Sequence, residues 1–328
     1  MILVTGANGF LGSFICRSLA ASGHEVRGLV RRNSDRSLLQ NIEGDFKMVE
    51  GDILNVGSLE PHFENANTII HSAAVVSFHK RDFSLMEDVN VQGTKNVVNL
   101  ALKYNTGYLI HMSSVAAIGR KEKKGIVSET DKWETSKWNS HYGETKYYAE
   151  LEVWRGIQEG INAVILNPSV VLGPGNWDQS SSRLFKYVWD QNKYYTEGWV
   201  NYVDIRDVCT IVARMLELRI TNERFIISAG HTSYKELFDV IASDFSKTSP
   251  SKMANKWLLK TGLIMETIKS LFTQKRPLIT SETINLSETE ISFDNSKIKK
   301  ELNFSFAPLN QTVDWACSQY LSRITKEN

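Results

Sequence analysis

TGANGFLG, residues 5–12, decides the fold of this 328-residue chain. It follows a strand-like run, MILVT (1–5), and opens a helix-periodic segment, Leu11–Ser22, closed by Gly23. Gly6, Gly9 and Gly12 make a strand-to-helix turn in which backbone can approach a pyrophosphate closely and the helix can pack on the strand. The N–H groups at the helix start then face the anion. The same alternation continues outward from this unit. HEVRGLV, FKMVEGDI, NTIIHSAA, GYLIHMSS and NAVILNPSVV read as strands, separated by helical patterns that include Met86–Tyr104 and His141–Glu159. Strands alternating with helices imply parallel βαβ units and a doubly wound α/β sheet. After Leu172–Gly175 the pattern becomes irregular and rich in aromatics. We expect a dinucleotide-binding unit over 1–172 and a smaller, mostly helical substrate-binding region over 173–328, with residues about 199–229 rejoining the first unit.

Composition bounds the function. The chain is 42% hydrophobic and 23% charged, with a formal net charge of +1, so no global field points to nucleic acid. Cys16, Cys209 and Cys317 lie far apart, and neither they nor the seven histidines show metal-ligand spacing. No metal is expected, and free buried thiols fit a reducing compartment. No segment approaches the ~20 apolar residues of a membrane span, and MILVTGANG has no basic leader. The expected location is cytoplasmic. WLLKTGLIMETIKSLF (257–272) is unusually apolar and reads first as a packing helix of the smaller region.

Two positions bear on the nucleotide. Enzymes specific for NAD place an acidic residue after the second strand to hold the ribose hydroxyls. Here Val30 is followed by Arg31 and Arg32, whose guanidinium groups suit a 2′-phosphate. NADP is therefore expected rather than NAD, with Asp35 the residue that keeps NAD open. Asp52, after the third strand, serves either to accept from an adenine amino group or to cap a helix.

On a helix over 141–159, Tyr142, Lys146, Ala149 and Val153 share one stripe. Tyr147 and Tyr148 fall on other faces. A free phenol, with a pKa near ~10, is a poor proton shuttle at neutral pH, and a cation one turn away lowers that value. With a nucleotide turn upstream, this pair reads as general acid–base machinery rather than as a snorkelling lysine. Ser113 and Ser114 end the fifth strand, at the edge where ligands of such sheets bind. One of them is expected to hold a carbonyl oxygen and the other to shape the turn.

Together these segments resemble the extended short-chain dehydrogenase/reductases, the NAD-dependent epimerase/dehydratase superfamily with its Rossmann-type fold. TGANGFLG, GDI, HSAA, NVQGTKNV, SSVAAIG, YGETK, NPSVVLGPG and NYVDIRDV carry the resemblance over roughly residues 1–230. It implies Tyr142 as general acid/base, Lys146 as its partner and ribose ligand, and Ser114 as carbonyl holder. It also implies cofactor contacts from Thr5, Gly6, Asn8, Gly9, Phe10, Leu11 and Gly12, from Asp52 and Ile53, and from Ser72, Ala73 and Ala74. Asn90, Met112, Asn167, Pro168 and the backbone of Val170 complete the implied set. VRR after the second strand and LNPSVVLGPG look most like the dihydroflavonol reductase and hydroxysteroid dehydrogenase branch. That implies reduction of a ketone or aldehyde by NADPH, on a small-molecule carbonyl or alcohol substrate, in a family where homodimers are common. An NAD-dependent nucleotide-sugar epimerase and a non-catalytic NADP sensor are the rival readings.

Overall fold

The computed structural model describes residues 1–254 and 281–327. The apolar segment 257–272 lies outside the described residues. The chain runs β1 (Ile2–Thr5), α1 (Phe10–Ala21), β2 (Val26–Val30), β3 (Phe46–Glu50), α2 (Val56–Phe63) and β4 (Thr68–His71). Next come α3 (Phe83–Met86), a π-helical turn over Glu87–Gln92, α4 (Gly93–Lys103), β5 (Tyr108–Met112), a 3-10 turn at Val115–Ala117, β6 (Lys124–Val127) and α5 (His141–Gln158). β7 (Ala163–Pro168), β8 (Val170–Leu172), α6 (Ser182–Trp189), β9 (Tyr194–Tyr195), β10 (Trp199–Asp204), α7 (Ile205–Leu218) and β11 (Glu223–Ile227) follow. β12 (Gly230–Ser233), α8 (Tyr234–Asp244), β13 (Lys252–Met253), α9 (Ser281–Ser287), β14 (Glu290–Phe293), α10 (Ser296–Leu302) and α11 (Leu309–Glu327) complete the described chain.

The seven-strand sheet has the order β11-β7-β5-β4-β1-β2-β3, with every pair parallel. The order reverses beside β1, and ligands of doubly wound sheets bind at that crevice. Side-chain alternation along β1 explains the layering. Ile2 and Val4 join α1 and α7 on one face, while Leu3 joins α2, α4 and α5 on the other. Both layers are nearly solvent-free, so the sheet needs the continuous apolar strands that the sequence provides.

The expected strand NAVILNPSVV divides in two. Ser169 still donates its N–H to Ile227 O at 3.0 Å, but Val170–Leu172 leaves to pair with β10. β12, β10 and β8 form a separate three-strand sheet. Residues 199–229 are accordingly shared: β11 extends the large sheet and α7 packs on α1, whereas β10 belongs to the small sheet. A third core gathers α6, α8 and α11 around Phe185, Phe238, Phe245 and Tyr320. The three cysteines are free and buried. Among the described residues no helix is long and apolar enough to cross a membrane, and no group of three or more potential ligands is placed for a metal ion.

Candidate active site

The glycine turn is shaped by close backbone packing. Gly6 has φ +66, and a Cβ there would lie 2.6 Å from the Cα of Ala73. A Cβ on Gly12 would lie 2.2 Å from the carbonyl oxygen of Gly6. Gly9 caps α1 with no side chain, and the first turn of the helix carries no acidic residue. The N–H groups of a helix start are unsatisfied within the helix, so this end offers donors and a favourable dipole to an anion. Thr5 is different: its buried hydroxyl hydrogen-bonds His71 Nδ1 at 2.7 Å and accepts from Ala73 N–H at 3.3 Å. It braces the turn from inside.

At the other end of the crevice, Arg31 and Arg32 are exposed, and among the described residues their guanidinium groups have no partner. Arg36 is taken by Glu50 at 2.8 Å. Asp35 is engaged: it accepts from Ser37 N–H at 2.9 Å, Ser37 Oγ at 3.0 Å and Asn176 Nδ2 at 3.3 Å, which hold its carboxyl below the usual range. Its carbonyl accepts from Asn8 Nδ2 at 3.0 Å. Asp52 uses one oxygen on Leu54 N–H at 2.9 Å, while Asn55, not Asp52, caps α2. Ile53 packs under Gly93, and its carbonyl accepts from Asn96.

Ser140 caps α5 by accepting from Gly143 N–H at 3.0 Å, which sets Tyr142 in the first turn. The two serines ending β5 diverge. Ser114 Oγ accepts from Ala116 N–H at 3.1 Å and acts on the Tyr142 phenol, whereas Ser113 is buried and donates to Glu150 at 2.5 Å. Phe78 meets the Tyr142 ring edge-on at 6.3 Å. Burial pushes the Tyr142 phenol up to about 12, and the Ser114 contact opposes that rise. Lys146 is 2% exposed, and its Nζ donates to Met112 O at 2.9 Å. Burial pulls it down to about 8, opposed by Glu150. The expected acidification of Tyr142 by Lys146 is absent from this arrangement, because the ammonium is drawn to the carbonyl at the end of β5. Its charge falls instead on His71 and His111, which desolvation and Lys146 keep neutral.

The sequence reading missed Glu150, the residue that joins these parts. It is 1% exposed, accepts from Asn167 Nδ2 at 2.5 Å, and faces Arg224 Nη1 at 3.2 Å. Asn167 also donates to Ser114 O at 2.8 Å. The available signal was spacing, since Tyr142, Lys146 and Glu150 recur every four residues. Asn90, placed by the π-helical turn, is likewise internal: it accepts from Val75 N–H at 2.7 Å and donates to Val75 O and Thr145 Oγ1, each at 3.0 Å. Thr145 in turn donates to Tyr142 O at 2.9 Å. His71 Nε2 contacts Thr94 Oγ1 at 2.9 Å, and Thr94 donates to Asn90 O at 2.6 Å. A buried hydrogen-bonded chain thus runs from Thr5 through His71, Thr94, Asn90 and Thr145 to the Tyr142 backbone. Two tryptophans are taken up by stacking: Trp177 on Tyr320 at 4.3 Å in the C-terminal core, and Trp133 on Tyr147 at 4.9 Å.

The doubly wound sheet, the open glycine turn at its switch point and the Ser114–Tyr142–Lys146 group at its carboxyl edge together define a dinucleotide-binding α/β protein. Residues 2–228 match the NAD dependent epimerase/dehydratase family, and the chain belongs to it. Membership implies an NAD(P) cofactor, and the glycine turn fits one. The chain is 28% identical over 318 residues to the "Putative dihydroflavonol 4-reductase" of Synechocystis sp., covering 94% of this chain and 91% of that protein. It is 27% identical over 312 residues to cinnamoyl-CoA reductase 1 of Petunia hybrida, covering 83% and 92%. The crystal structure of gox2253 superposes with a TM-score of 0.82 at 28% identity, covering 98% of each chain. UDP-glucose 4-epimerase of Thermotoga maritima shares the fold, with a TM-score of 0.79 at 19% identity over 98% of this chain and 99% of that one.

Proposed function

We propose that the protein is an NADPH-dependent oxidoreductase that reduces a ketone or aldehyde to an alcohol, like the reductases named among its relatives. The observation that carries the reading is the buried Tyr142 phenol in the first turn of α5, acted on by Ser114 at the end of β5, with Lys146 one turn along the helix. When bound, the nicotinamide supplies the hydride. Gly6, Gly9 and Gly12 accommodate the pyrophosphate, Arg31 and Arg32 the 2′-phosphate, and Asp52 the adenine. The backbone after Pro168, at Val170, and that of Ser72–Ala74 border the nicotinamide end. Ser114 orients the carbonyl oxygen as negative charge develops there. Tyr142 donates the proton, which its raised pKa keeps in place at neutral pH. Lys146 stands behind the pair as the local cation and reaches the ribose hydroxyls. Glu150 keeps Lys146 charged, and Asn90 and Thr145 fix the first turn of α5.

Cofactor preference tests this reading. The purified protein, stripped of nucleotide, is titrated with NADPH and NADH by nicotinamide fluorescence. Tighter NADPH binding is expected, with the preference lost in an Arg31→Ala, Arg32→Ala double variant. Tight NAD(H) binding with little affinity for NADPH overturns it and favours the epimerase reading.

A further inference from the structure

The loop after the Ser114 turn carries a basic run, Arg120-Lys121-Glu122-Lys123-Lys124. Its three lysines point outward to carboxylates: Lys121 to Glu134 at 2.6 Å, Lys123 to Glu288 at 3.4 Å and Lys124 to Glu290 at 2.8 Å. Arg120 turns the other way. The residue is part-buried: its Nε is enclosed with no hydrogen-bond partner, and among the described residues no carboxylate pairs with it. A guanidinium keeps its proton, so an enclosed Nε–H without a partner is a donor left free for a ligand.

The position is held firmly. Arg120 N–H donates to Asn139 Oδ1 at 2.6 Å, and Arg120 O accepts from Ser136 Oγ. Gly119, at φ +84, packs against Trp133 and Asn139. Asn139 immediately precedes Ser140, the cap of α5, so the loop is pinned to the segment that sets Tyr142. Arg120 therefore stands in the loop that leads from the carboxyl edge of β5 and is tied beside the cap of α5, the helix that begins with Tyr142 in its first turn.

We propose that Arg120 is an anion-binding subsite for a carboxylate or phosphate group carried by the carbonyl substrate. The subsite extends the reductase reading by naming a substrate class: carbonyl compounds with an anionic group remote from the reacting carbon. A planar guanidinium binds such groups through paired, charge-assisted hydrogen bonds.

The test compares aldehydes of three lengths, succinic semialdehyde, 4-carboxybenzaldehyde and 4-carboxycinnamaldehyde, each against its methyl ester. The wild type is expected to favour the acid in kcat/KM at one or more lengths by ~10- to 100-fold, the range of a charge-assisted contact. Arg120→Gln is expected to bring that ratio near unity with NADPH affinity retained. Preference for the ester at every length, or a preference untouched by the substitution, overturns the proposal. A binding arm separates it from the reductase reading: calorimetry of the three acids on the NADP⁺ complex needs no turnover. Acid binding that vanishes in Arg120→Gln supports the subsite even if no aldehyde is reduced, and absence of binding overturns it. Inorganic phosphate binding as tightly as the best acid would make this a free-anion site and overturn the substrate assignment.

Discussion

Replacing Glu150 by Gln keeps the shape of the side chain and removes one buried charge. Glu150 is 1% exposed and meets Arg224, itself 16% exposed, at 3.2 Å. Breaking a buried pair by neutralising one partner costs ~3–5 kcal/mol. Arg224 keeps two other acceptors, Glu129 O at 2.5 Å and Asp131 O at 3.3 Å, and reaches some solvent. The lower end applies, about 3 kcal/mol, which for a chain of this size is a fall in Tm of about 5 °C. A second effect reaches the site. Glu150 is the group that raises the pKa of Lys146, which burial has lowered to about 8. Without the carboxylate Lys146 loses its proton at lower pH, so the alkaline limb of kcat moves below that of the wild type. Differential scanning fluorimetry reads the first effect, and kcat against pH under saturating NADPH reads the second. A variant as stable as the wild type, with an unmoved alkaline limb, would refute the reasoning.

Two further outcomes rest on the same geometry. In Gly12→Ala the new methyl would sit 2.2 Å from Gly6 O, so turn and helix must separate. We expect a loss of ~1–3 kcal/mol and NADPH binding at least about tenfold weaker, and unchanged stability and affinity in urea melts and fluorescence titration would contradict the packing. Lys146 sets a pH dependence of stability. Its folded value of about 8 lies below its ordinary 10.5, so from about pH 8 to 10.5 the unfolded chain binds more protons and the wild type gains stability as pH rises. Relative to Lys146→Met, that gain is about 3 kcal/mol across the window, and a stability difference that stays flat from pH 7 to 10.5 would rule out a buried ammonium.

Much of the frame was legible because short-range rules govern it. The glycine turn, the strand–helix alternation and the helix from His141 are set by steric need and period, and the helices read as Leu11–Ser22 and His141–Glu159 lie within a residue of their reading. Tyr142 and Lys146 share a helix face for the same reason. Tertiary partners were harder to foresee. Nothing local told that Ser113 would turn to Glu150 and Ser114 to Tyr142, since adjacent residues at a strand end point to opposite sides. Thr5 and Asn90 carry polar atoms suited to a nucleotide, yet both satisfy buried neighbours. Lys146 was read by its distance along the helix from Tyr142, but β5 supplies a closer acceptor. Glu150 was hidden because charged positions on a helix usually face solvent, and its burial depends on Arg224, 74 residues away.

The most direct test of the account is turnover with Tyr142→Phe. NADPH oxidation is followed in single-turnover mixtures with a panel of aldehydes and ketones, beside NADPH affinity by fluorescence. If Tyr142 delivers the proton, the variant binds NADPH within about twofold of the wild type and loses ~10²–10⁴-fold in rate on any carbonyl that the wild type reduces. Reduction at the wild-type rate by the phenylalanine variant would contradict the assignment of Tyr142 and, with it, the proposed chemistry.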